Sequence, residues 1–402
     1  MSPRKPKSID PPTDSGGPSG SAQHQSEGAG KPPKASKKTY LFHQTNKEKW
    51  LLEGTGDALG TLHAPKTTPS TVMVTKSGGY DLVCSYSWVK SGIPTVYVPE
   101  YPFEVVFRAM EVMNPNYKFD DVDVLINRNT LRKLFKLCCG QRQGPFKINL
   151  FGIANTMIVE RCEATMEELI RGSGNSGWGF NFESAVTQPG LGMGDISGHH
   201  RVLRYDFGGL SCAVRFEVDA CYGDPSMGVL GEQPESSTDH AKEISDLSAS
   251  LKGLQVQSPP VDPEVNDAAT IRVISRGSAI PHTEAAEIKS MKRLKPPGPM
   301  MAQLWFGRTQ NLIRGVHSNG AFNNIHVNKM EENLQHWETE PHNQATLRKV
   351  ATILSHLRDI VKDSKERACV AVASGTELEV FDATQRKTAL PQDICEKFWS
   401  KK

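Results

Sequence analysis

The clearest pattern in the chain is the alternation of apolar and polar side chains along residues 211–220. Successive side chains of a strand point to opposite faces, so the polar face carries Arg215, Glu217 and Asp219. The apolar face is formed by Cys212, Val214, Phe216, Val218 and Ala220. The pattern predicts a strand that rests on a core and presents two carboxylates.

A second short segment, residues 286–290, repeats this arrangement. Glu287 and Lys289 fall on one face, and Ala286 and Ile288 fall on the other. Side by side in one sheet, the two strands would bring three carboxylates and one lysine together. Crowded carboxylates repel each other unless a cation neutralises them, and oxygen ligands suit Mg²⁺ or Mn²⁺. The two segments therefore predict a metal site, provided that both lie in the same sheet and face the same side.

The rest of the chain mixes strand patterns with helical ones. Predicted strands lie at 71–75, 82–86, 95–98, 199–206, 311–316, 368–373 and 377–381, with two more within 146–160. Predicted helices lie at 103–112, 128–136, 165–171, 178–186, 300–308 and 346–363. This order predicts an α/β (α+β) fold, in which helices flank a mixed central β-sheet.

Two stretches have a composition that cannot form a core. Residues 1–38 are rich in Pro, Gly, Ser and Lys, and residues 223–268 are rich in Ser, Pro and Glu. They are predicted to be a disordered basic tail and a long disordered insert. A single catalytic-type domain then spans residues 39–402, interrupted by the insert. Deletion of either stretch should leave the melting temperature nearly unchanged.

The net charge of +2 is too small for a protein that coats nucleic acid, so a basic binding surface must be local. Arg128, Arg132 and Lys136, four residues apart, form a basic stripe on the predicted helix 128–136. The stripe is interpreted either as a solvated face or as a surface that contacts phosphate.

Cysteine usage and hydropathy indicate an intracellular protein. The eight cysteines form no CxxC pair, which favours a reducing compartment. A secretory h-region and an apolar run of membrane-spanning length are both missing, so no membrane association is expected. The cluster Arg4–Lys7 is interpreted as a nuclear address or as a solubilising tail, so the expected location is the nucleus, the cytoplasm or both.

The pattern E-x-D followed by E-x-K has a definite chemical use. Carboxylates can hold a divalent ion that polarises a phosphoryl oxygen, and Lys289 can orient or activate the attacking water. The reaction class is hydrolysis of a phosphodiester or pyrophosphate. The alternative is a solvated, salt-bridged face, because each half of the pattern also occurs by chance.

Several short motifs in order resemble the Rai-type decapping exoribonuclease family of the PD-(D/E)XK nuclease superfamily. They are Gly179–Glu183, Phe216–Ala220, Ala286–Ser290, Gln303–Phe306 and Ile313–Gly315. Upstream, Asn127–Arg132 is similar to the arginine motif of that family. The resemblance covers roughly residues 80–390 and implies a PD-(D/E)XK nuclease-like fold.

The resemblance also implies roles for individual residues. Asp219 and Glu287 would be direct ligands of Mg²⁺ or Mn²⁺, and Glu183 and Glu217 would hold the metal or its water. Lys289 and Gln303 would position the nucleophile, whereas Arg128 would contact the RNA 5′ phosphate. The implied substrate is RNA with a 5′ triphosphate or a defective cap. The implied product is 5′-monophosphate RNA, sometimes with 5′–3′ exoribonuclease activity. The expected partners are the RNA 5′ end and a partner nuclease or other protein.

The sequence departs from the family at two places. Glu287 follows Asp219 by 68 positions, whereas the family uses a compact hairpin. His317 stands where the family has an arginine, so it becomes the candidate phosphate contact in that strand, together with Arg128 and Arg132. The alternatives are a catalytically silent relative that binds RNA or a protein, and a DNA nuclease. The joint presence of Glu287 and Lys289 favours the enzyme.

Overall fold

The computed structural model describes residues 46–89, 101–163, 178–190, 192–223 and 271–400. Every element below belongs to the unit Gln44–Lys402. The predicted tail, nearly all of the predicted insert, the predicted strand 95–98 and the predicted helix 165–171 lie outside the described residues.

A nine-stranded mixed sheet forms the centre of the fold. Its strands are Thr55–His63 (β1), Asp81–Val89 (β2), Val124–Asn127 (β3), Phe146–Ile153 (β4), Thr156–Cys162 (β5), Ile196–Phe207 (β6), Leu210–Val218 (β7), Ala368–Ser374 (β12) and Glu377–Ala383 (β13). The spatial order is β1-β13-β12-β4-β5-β3-β7-β6-β2. β3 runs parallel to β5 and β7, and the other neighbours are antiparallel. The predicted mixed central sheet is confirmed.

A second sheet of four strands lies beside it. Its strands are Ala220–Cys221 (β8), Ala285–Met291 (β9), Asn311–Ser318 (β10) and Ala321–Lys329 (β11). They are ordered β11-β10-β9-β8, with β9 and β10 parallel. The prediction that segments 211–220 and 286–290 share one sheet is wrong, because β7 ends at Val218 and β8 pairs with β9 through Ala220 and Ala286. Asp219 is the single residue between β7 and β8, and its Oδ2 accepts a hydrogen bond from the Ile288 N–H (2.8 Å).

Seven described helices cover the sheets. They are Glu104–Met113 (α1), Arg128–Cys138 (α2), Gly179–Val186 (α3), Gly298–Phe306 (α4), Glu331–Thr339 (α5), Pro341–Asp363 (α6) and Gln392–Phe398 (α7). Three-residue to seven-residue 3-10 turns occupy Asn46–Leu52, Ala64–Lys66 and His282–Glu284. Helices α2, α4 and α6 pack on one face of the large sheet, where Leu131, Trp305 and Leu354 are buried with the apolar residues of β7. In the described ranges, no helix is long and apolar enough to cross a bilayer.

The opposite face of the large sheet is closed by an aromatic cluster. Phe107 of α1 contacts Phe119, Phe398 and Trp399, with ring centroids 5.0–5.3 Å apart. Cover on both faces explains why residues Val124–Ile126 of β3 are fully buried. Burial on both faces removes the period-two signal of a strand, which is why the sequence did not reveal β3.

The predicted strand 71–75 is wrong, although one of its apolar residues belongs to the core. Val74 is buried, but its backbone N–H and C=O are bonded to the side chain of Gln344 on α6, at 3.0 and 3.1 Å. A side-chain amide thus replaces the neighbouring strand as the hydrogen-bond partner of this backbone.

Replacing Gly315 by Ala is expected to destabilise the small sheet. The ring of Phe182 in α3 lies against the Gly315 backbone, and a Cβ there would overlap the ring. Phe182 cannot withdraw easily, because it is buried and stacked on Phe322 at 4.3 Å. We expect a loss of about 1–3 kcal/mol in the free energy of unfolding by urea. Gly60→Ala in β1, where a Cβ meets nothing within 4 Å, is the control, and equal stability of the two variants would contradict this packing.

Candidate functional site

A polar cleft lies where β7 gives way to the second sheet. Glu183, Glu217, Asp219 and Lys289 line it, and its volume is about 300 Å³. The Lys289 ammonium lies 3.5 Å from Asp219 Oδ2. The structure thus brings these four predicted residues together, although β7 and β9 belong to two sheets. The condition of one shared sheet was too strict, because the chain passes from one sheet to the other at Asp219 and the side chains still converge on one cleft.

Helix α3 closes one side of the cleft because Phe182 anchors it. Phe182 is buried in a small core with Ala286, Ile288 and Ile313. Its neighbour Glu183 then lines the cleft. The predicted two-faced pattern of β9 is confirmed here, since Ala286 and Ile288 pack under α3 while Glu287 and Lys289 lie on the other face.

Glu287 is the most enclosed of the predicted carboxylates, at 2% exposed. Its Oε2 lies 3.3 Å from Arg128 Nη1, and its Oε1 accepts hydrogen bonds from Lys289 and from Gln303. Burial alone would raise the pKa of Glu287, but Arg128, Lys289 and the hydrogen bond from Gln303 hold that pKa below its ordinary value. Glu287 is therefore ionised and neutralised by side chains of the protein itself.

Asp219 behaves in the opposite way. Burial and the charge of Glu287 raise the pKa of Asp219 to about 7, against the smaller effect of Lys289. Ionisation of Asp219 is thus unfavourable in the cleft as it stands, and a bound cation would stabilise the ionised carboxylate. Hard oxygen donors of this kind fit a divalent metal ion.

The metal ligands are not preassembled in the described part of the chain, where no three His, Cys, Asp or Glu side chains form a group that could hold a metal ion. Glu287 is one reason why no such group forms, because its oxygens already interact with Arg128, Lys289 and Gln303. The carboxylate oxygens of the cleft are of a type that binds divalent ions. In this structure, however, Glu287 is held in ion pairs with Arg128 and Lys289.

The basic stripe of α2 divides into buried and exposed members. The predicted helix is confirmed, but Arg128 is only 7% exposed, lies over the Phe216 ring at 5.0 Å and donates to the Glu217 backbone oxygen at 3.3 Å. Arg132 is half-buried, and burial followed by the charge of Arg128 lowers its pKa. Lys136 is exposed. Arg128, predicted to contact phosphate, thus lies against protein groups.

His317 lies at the end of β10 among aromatic rings. Its Nδ1 accepts a hydrogen bond from the Gly320 N–H at 3.3 Å, and its ring centroid is 6.1 Å from Trp178 and 5.1 Å from Phe322. The described contacts of His317 do not include the cleft carboxylates. Its role as a phosphate contact stays a prediction.

The sequence analysis did not identify Arg201, which connects three parts of the site. Arg201 donates to His282 Nδ1 (3.2 Å) and to the Ile280 backbone oxygen (2.9 Å), just before β9. His282 in turn donates through Nε2 to the Gly307 oxygen at the end of α4, the helix of Gln303. A sequence signal was present, because Arg201 is in register with Leu203, Tyr205 and Phe207, which lie in the core.

The histidines around Arg201 should make folding sensitive to acid. Burial, with the charge of Arg201, lowers the pKa of His199 and of His282 to about 4. Below about pH 6.5 the unfolded chain binds these protons and the folded chain does not, so the two residues make stability fall towards about pH 4. The raised pKa of Asp219 acts in the opposite direction, so a variant is needed to isolate the histidine effect.

His282→Gln provides that comparison. Between about pH 6.5 and pH 4, the free energy of unfolding of this variant should fall by roughly 1–3 kcal/mol less than that of the wild type. Urea unfolding curves across this range measure the difference. Parallel pH curves would contradict the assignment of His282 as neutral in the folded state.

Shape comparison finds similar solved structures. Scheffersomyces stipitis Rai1 in complex with (3′-NADP)⁺ and calcium ion is 12% identical, with 82% of this chain and 93% of that chain covered and a TM-score of 0.48. Candida albicans Rai1 in complex with pU5-Mn²⁺ is 10% identical, with 83% and 99% covered and a TM-score of 0.49. K. lactis Dxo1 in complex with manganese is 11% identical, with 82% and 100% covered and a TM-score of 0.42. These neighbours are Rai1 and Dxo1 proteins, the group that the motifs resemble.

Sequence comparison gives a family assignment of its own. Among curated proteins, none matches this chain. A family model described as "Domain of unknown function (DUF8563)" matches residues 95–399, which include every cleft residue named above. Since this match spans more than half of the sequence, the chain belongs to the family described as Domain of unknown function (DUF8563).

Proposed function

We propose that the protein is a divalent-metal-dependent hydrolase of RNA 5′ ends, a pyrophosphohydrolase or decapping enzyme that releases 5′-monophosphate RNA. A 5′–3′ exoribonuclease activity of the same cleft belongs to the proposal, as do an intracellular location and an RNA 5′ end as the partner. The observation that carries it is the convergence of Glu183, Glu217, Asp219 and Lys289 in one cleft. The ordered motifs of the sequence support it.

The resemblance to the Rai-type family implies a role for each of these residues. Asp219 and Glu287 would hold Mg²⁺ or Mn²⁺, with Glu183 and Glu217 binding the metal or its water. The bound ion would act as a Lewis acid on the phosphoryl oxygen. Lys289, which contacts both Asp219 and Glu287, would orient the attacking water.

Two further residues hold this arrangement in place. Gln303 donates to Glu287 Oε1 and so fixes the orientation of that carboxylate. Arg128 keeps Glu287 ionised in its buried position. Both are positioning residues in this proposal.

A second candidate function is a catalytically silent relative that binds RNA or a protein. One specific observation favours it, namely that Glu287 is already neutralised by Arg128 and Lys289. A site that is satisfied by its own ion pairs has less need of a metal. This candidate predicts binding without turnover.

The proposal is tested by incubating the protein with 5′-triphosphate, capped and 5′-monophosphate RNAs, and with DNA of the same sequence, in Mg²⁺, Mn²⁺ or EDTA. We expect 5′-monophosphate RNA to be released with metal and not with EDTA. RNA binding with no product under any condition would support the silent relative. Preferential cleavage of DNA would assign the cleft to a DNA nuclease.

A further inference from the structure

Strands β8 and β9 are neighbours in the small sheet, yet a connection of 63 residues, 222–284, lies between them along the chain. Their pairing consists of two residue pairs, Ala220 with Ala286 and Cys221 with Ala285. Bringing the ends of a long connection together costs conformational entropy, which grows with its length. β10 supports the other edge of β9, so the edge that adjoins β8 is the one that needs contacts from elsewhere.

Arg201 of β6 holds both sides of this junction. Its Nη2 donates to the Ile280 backbone oxygen at 2.9 Å, ahead of β9, and to the Cys221 Sγ at 3.6 Å, at the end of β8. Its Nη1 donates to His282 Nδ1 at 3.2 Å. Arg201 is 1% exposed, and its planar guanidinium can hold several acceptors at fixed angles. It thus links the large sheet to both strands of the junction.

His282 extends this link to the helix that carries Gln303. Because Arg201 only donates, His282 accepts at Nδ1 and carries its proton on Nε2, which donates to the Gly307 oxygen at 2.8 Å. Gly307 directly follows α4. Gln303 of the same helix donates to Glu287 of β9. The contacts of Arg201 therefore reach the two elements, β9 and α4, that carry this hydrogen-bonded pair.

We propose that Arg201, acting through His282, is a positioning residue that holds β9 against β8 in place of a tight turn. It thereby sets the distance between Asp219 and the two charged residues of β9, Glu287 and Lys289. The inference deepens the proposed function, and its consequence for turnover rests on that function. The described partners of Arg201 lie outside the residues that line the cleft, so it acts through the strands and not on the substrate.

The first test measures whether Arg201 holds β9, and it needs no RNA. Amide hydrogen exchange of the full chain is followed by mass spectrometry in the wild type and in Arg201→Met, which fills similar space but cannot donate. Peptides from Ala285–Met291 should exchange about tenfold faster or more, because buried hydrogen bonds from a charged group are lost. Peptides from β1 should exchange as in the wild type. Unchanged exchange of β9, or equal acceleration in β1 and β9, would overturn the proposal.

The matched control is Arg204→Met, which removes the same side chain from the same strand. Arg204 points to the opposite face of β6 and pairs with Asp121 at 2.7 Å. Its removal should leave the exchange of β9 unchanged. Equal acceleration of β9 by Arg204→Met and Arg201→Met would show a general effect of β6 and would also overturn the proposal.

His282→Phe is a milder variant of the same link. It keeps a ring beside Phe216, whose centroid lies 5.7 Å from that of His282, and it removes the hydrogen bonds of the imidazole. Exchange should become faster in β9 and at the end of α4, and it should stay unchanged in β1. If Arg201→Met does not fold, this variant decides alone, and a fully protected β9 in it would overturn the proposal.

The role of the long connection is tested by its length. Replacing residues 224–270 by about eight Gly and Ser residues leaves about 24 residues between the strands and should favour closure by up to about fourfold. Introduced into Arg201→Met, this replacement should slow the exchange of β9 by up to the same factor. No slowing would overturn the claim that Arg201 acts in place of a tight turn.

Kinetics test the consequence for the cleft. Arg201→Lys keeps the charge but has one nitrogen in place of the planar fork. For folded Arg201→Lys we expect kcat for 5′-triphosphate RNA to fall about tenfold or more and KM to stay within about twofold, because the cleft is misaligned while substrate contacts are kept. A residue that contributes only to overall stability would change neither constant below the melting temperature. Unchanged kcat would overturn the positioning role.

These results separate the inference from the proposed function. Faster exchange of β9 in the variants, together with a wild-type protein that hydrolyses no RNA, would contradict the proposed hydrolase and leave the link through Arg201 supported. A protected β9 in Arg201→Met and His282→Phe, together with metal-dependent hydrolysis by the wild type, would contradict the inference alone.

Discussion

Asp219→Asn is expected to lower hydrolysis of 5′-triphosphate RNA by at least about a hundredfold while leaving RNA binding largely unchanged. The substitution removes the negative charge that Asp219 would carry as a metal ligand, and it keeps an oxygen that can accept the Ile288 N–H. RNA binding should persist, because the cations that would contact phosphates lie elsewhere. Single-turnover product release and oligouridylate titration measure the two quantities.

The control for this variant is Asp121→Asn, which removes an exposed carboxylate that pairs with Arg204 at 2.7 Å. It should hydrolyse RNA at the wild-type rate. If the cleft charges form only a solvated, salt-bridged face, Asp219→Asn would alter no activity and would shift stability by well under about 1 kcal/mol. That outcome would contradict the enzyme.

Arg128→Ala is expected to have the largest effect on stability, about 3–5 kcal/mol of the free energy of unfolding, because it leaves the buried Glu287 without its guanidinium partner. Packing over Phe216 is lost as well. Urea unfolding measures the change. Lys136→Ala, on the same stripe but exposed, is the control and should stay within about 0.5 kcal/mol of the wild type.

The salt dependence of RNA binding separates the two roles considered for Arg128. If Arg128 contacts the 5′ phosphate, its removal should weaken binding and reduce the salt slope by about 0.7. If it serves Glu287, as the 3.3 Å contact indicates, the salt slope should stay unchanged while activity falls. A reduced slope with unaltered stability would contradict the structural role.

The alternation of residues 211–220 correctly predicted a strand with one buried and one polar face. It did not predict that the end of this segment pairs with a strand of a second sheet. Val214 and Phe216 lie in the core as the pattern predicted, and Glu217 and Asp219 line the cleft. The change of sheet at Asp219 left no trace in the pattern, because a period of two continues through a bend. Which strand pairs with which depends on residues 286 and 311–316, far along the chain.

The candidate site was predictable to a similar extent. The order of the short motifs along the chain assigned Glu183, Lys289 and Gln303 to one site, because each motif resembles a site motif of the same family. The ion pair of Arg128 with Glu287 joins residues 159 positions apart, and periodicity contains no information on such a contact. Arg201 was missed because a charged residue in register with Leu203, Tyr205 and Phe207 looks like an exception to their alternation.

Whether the cleft binds a divalent ion is the central question, and calorimetric titration of Mn²⁺ into the wild type and Asp219→Asn tests it most directly. We predict that the wild type binds one Mn²⁺ ion with measurable heat and that the variant binds Mn²⁺ at least about tenfold more weakly. Removing a residue that only supports a metal ligand already lowers metal affinity by about tenfold or more, and removing the ligand itself should lower it at least as much. Equal Mn²⁺ affinity in both proteins, or no binding by the wild type, would contradict the account.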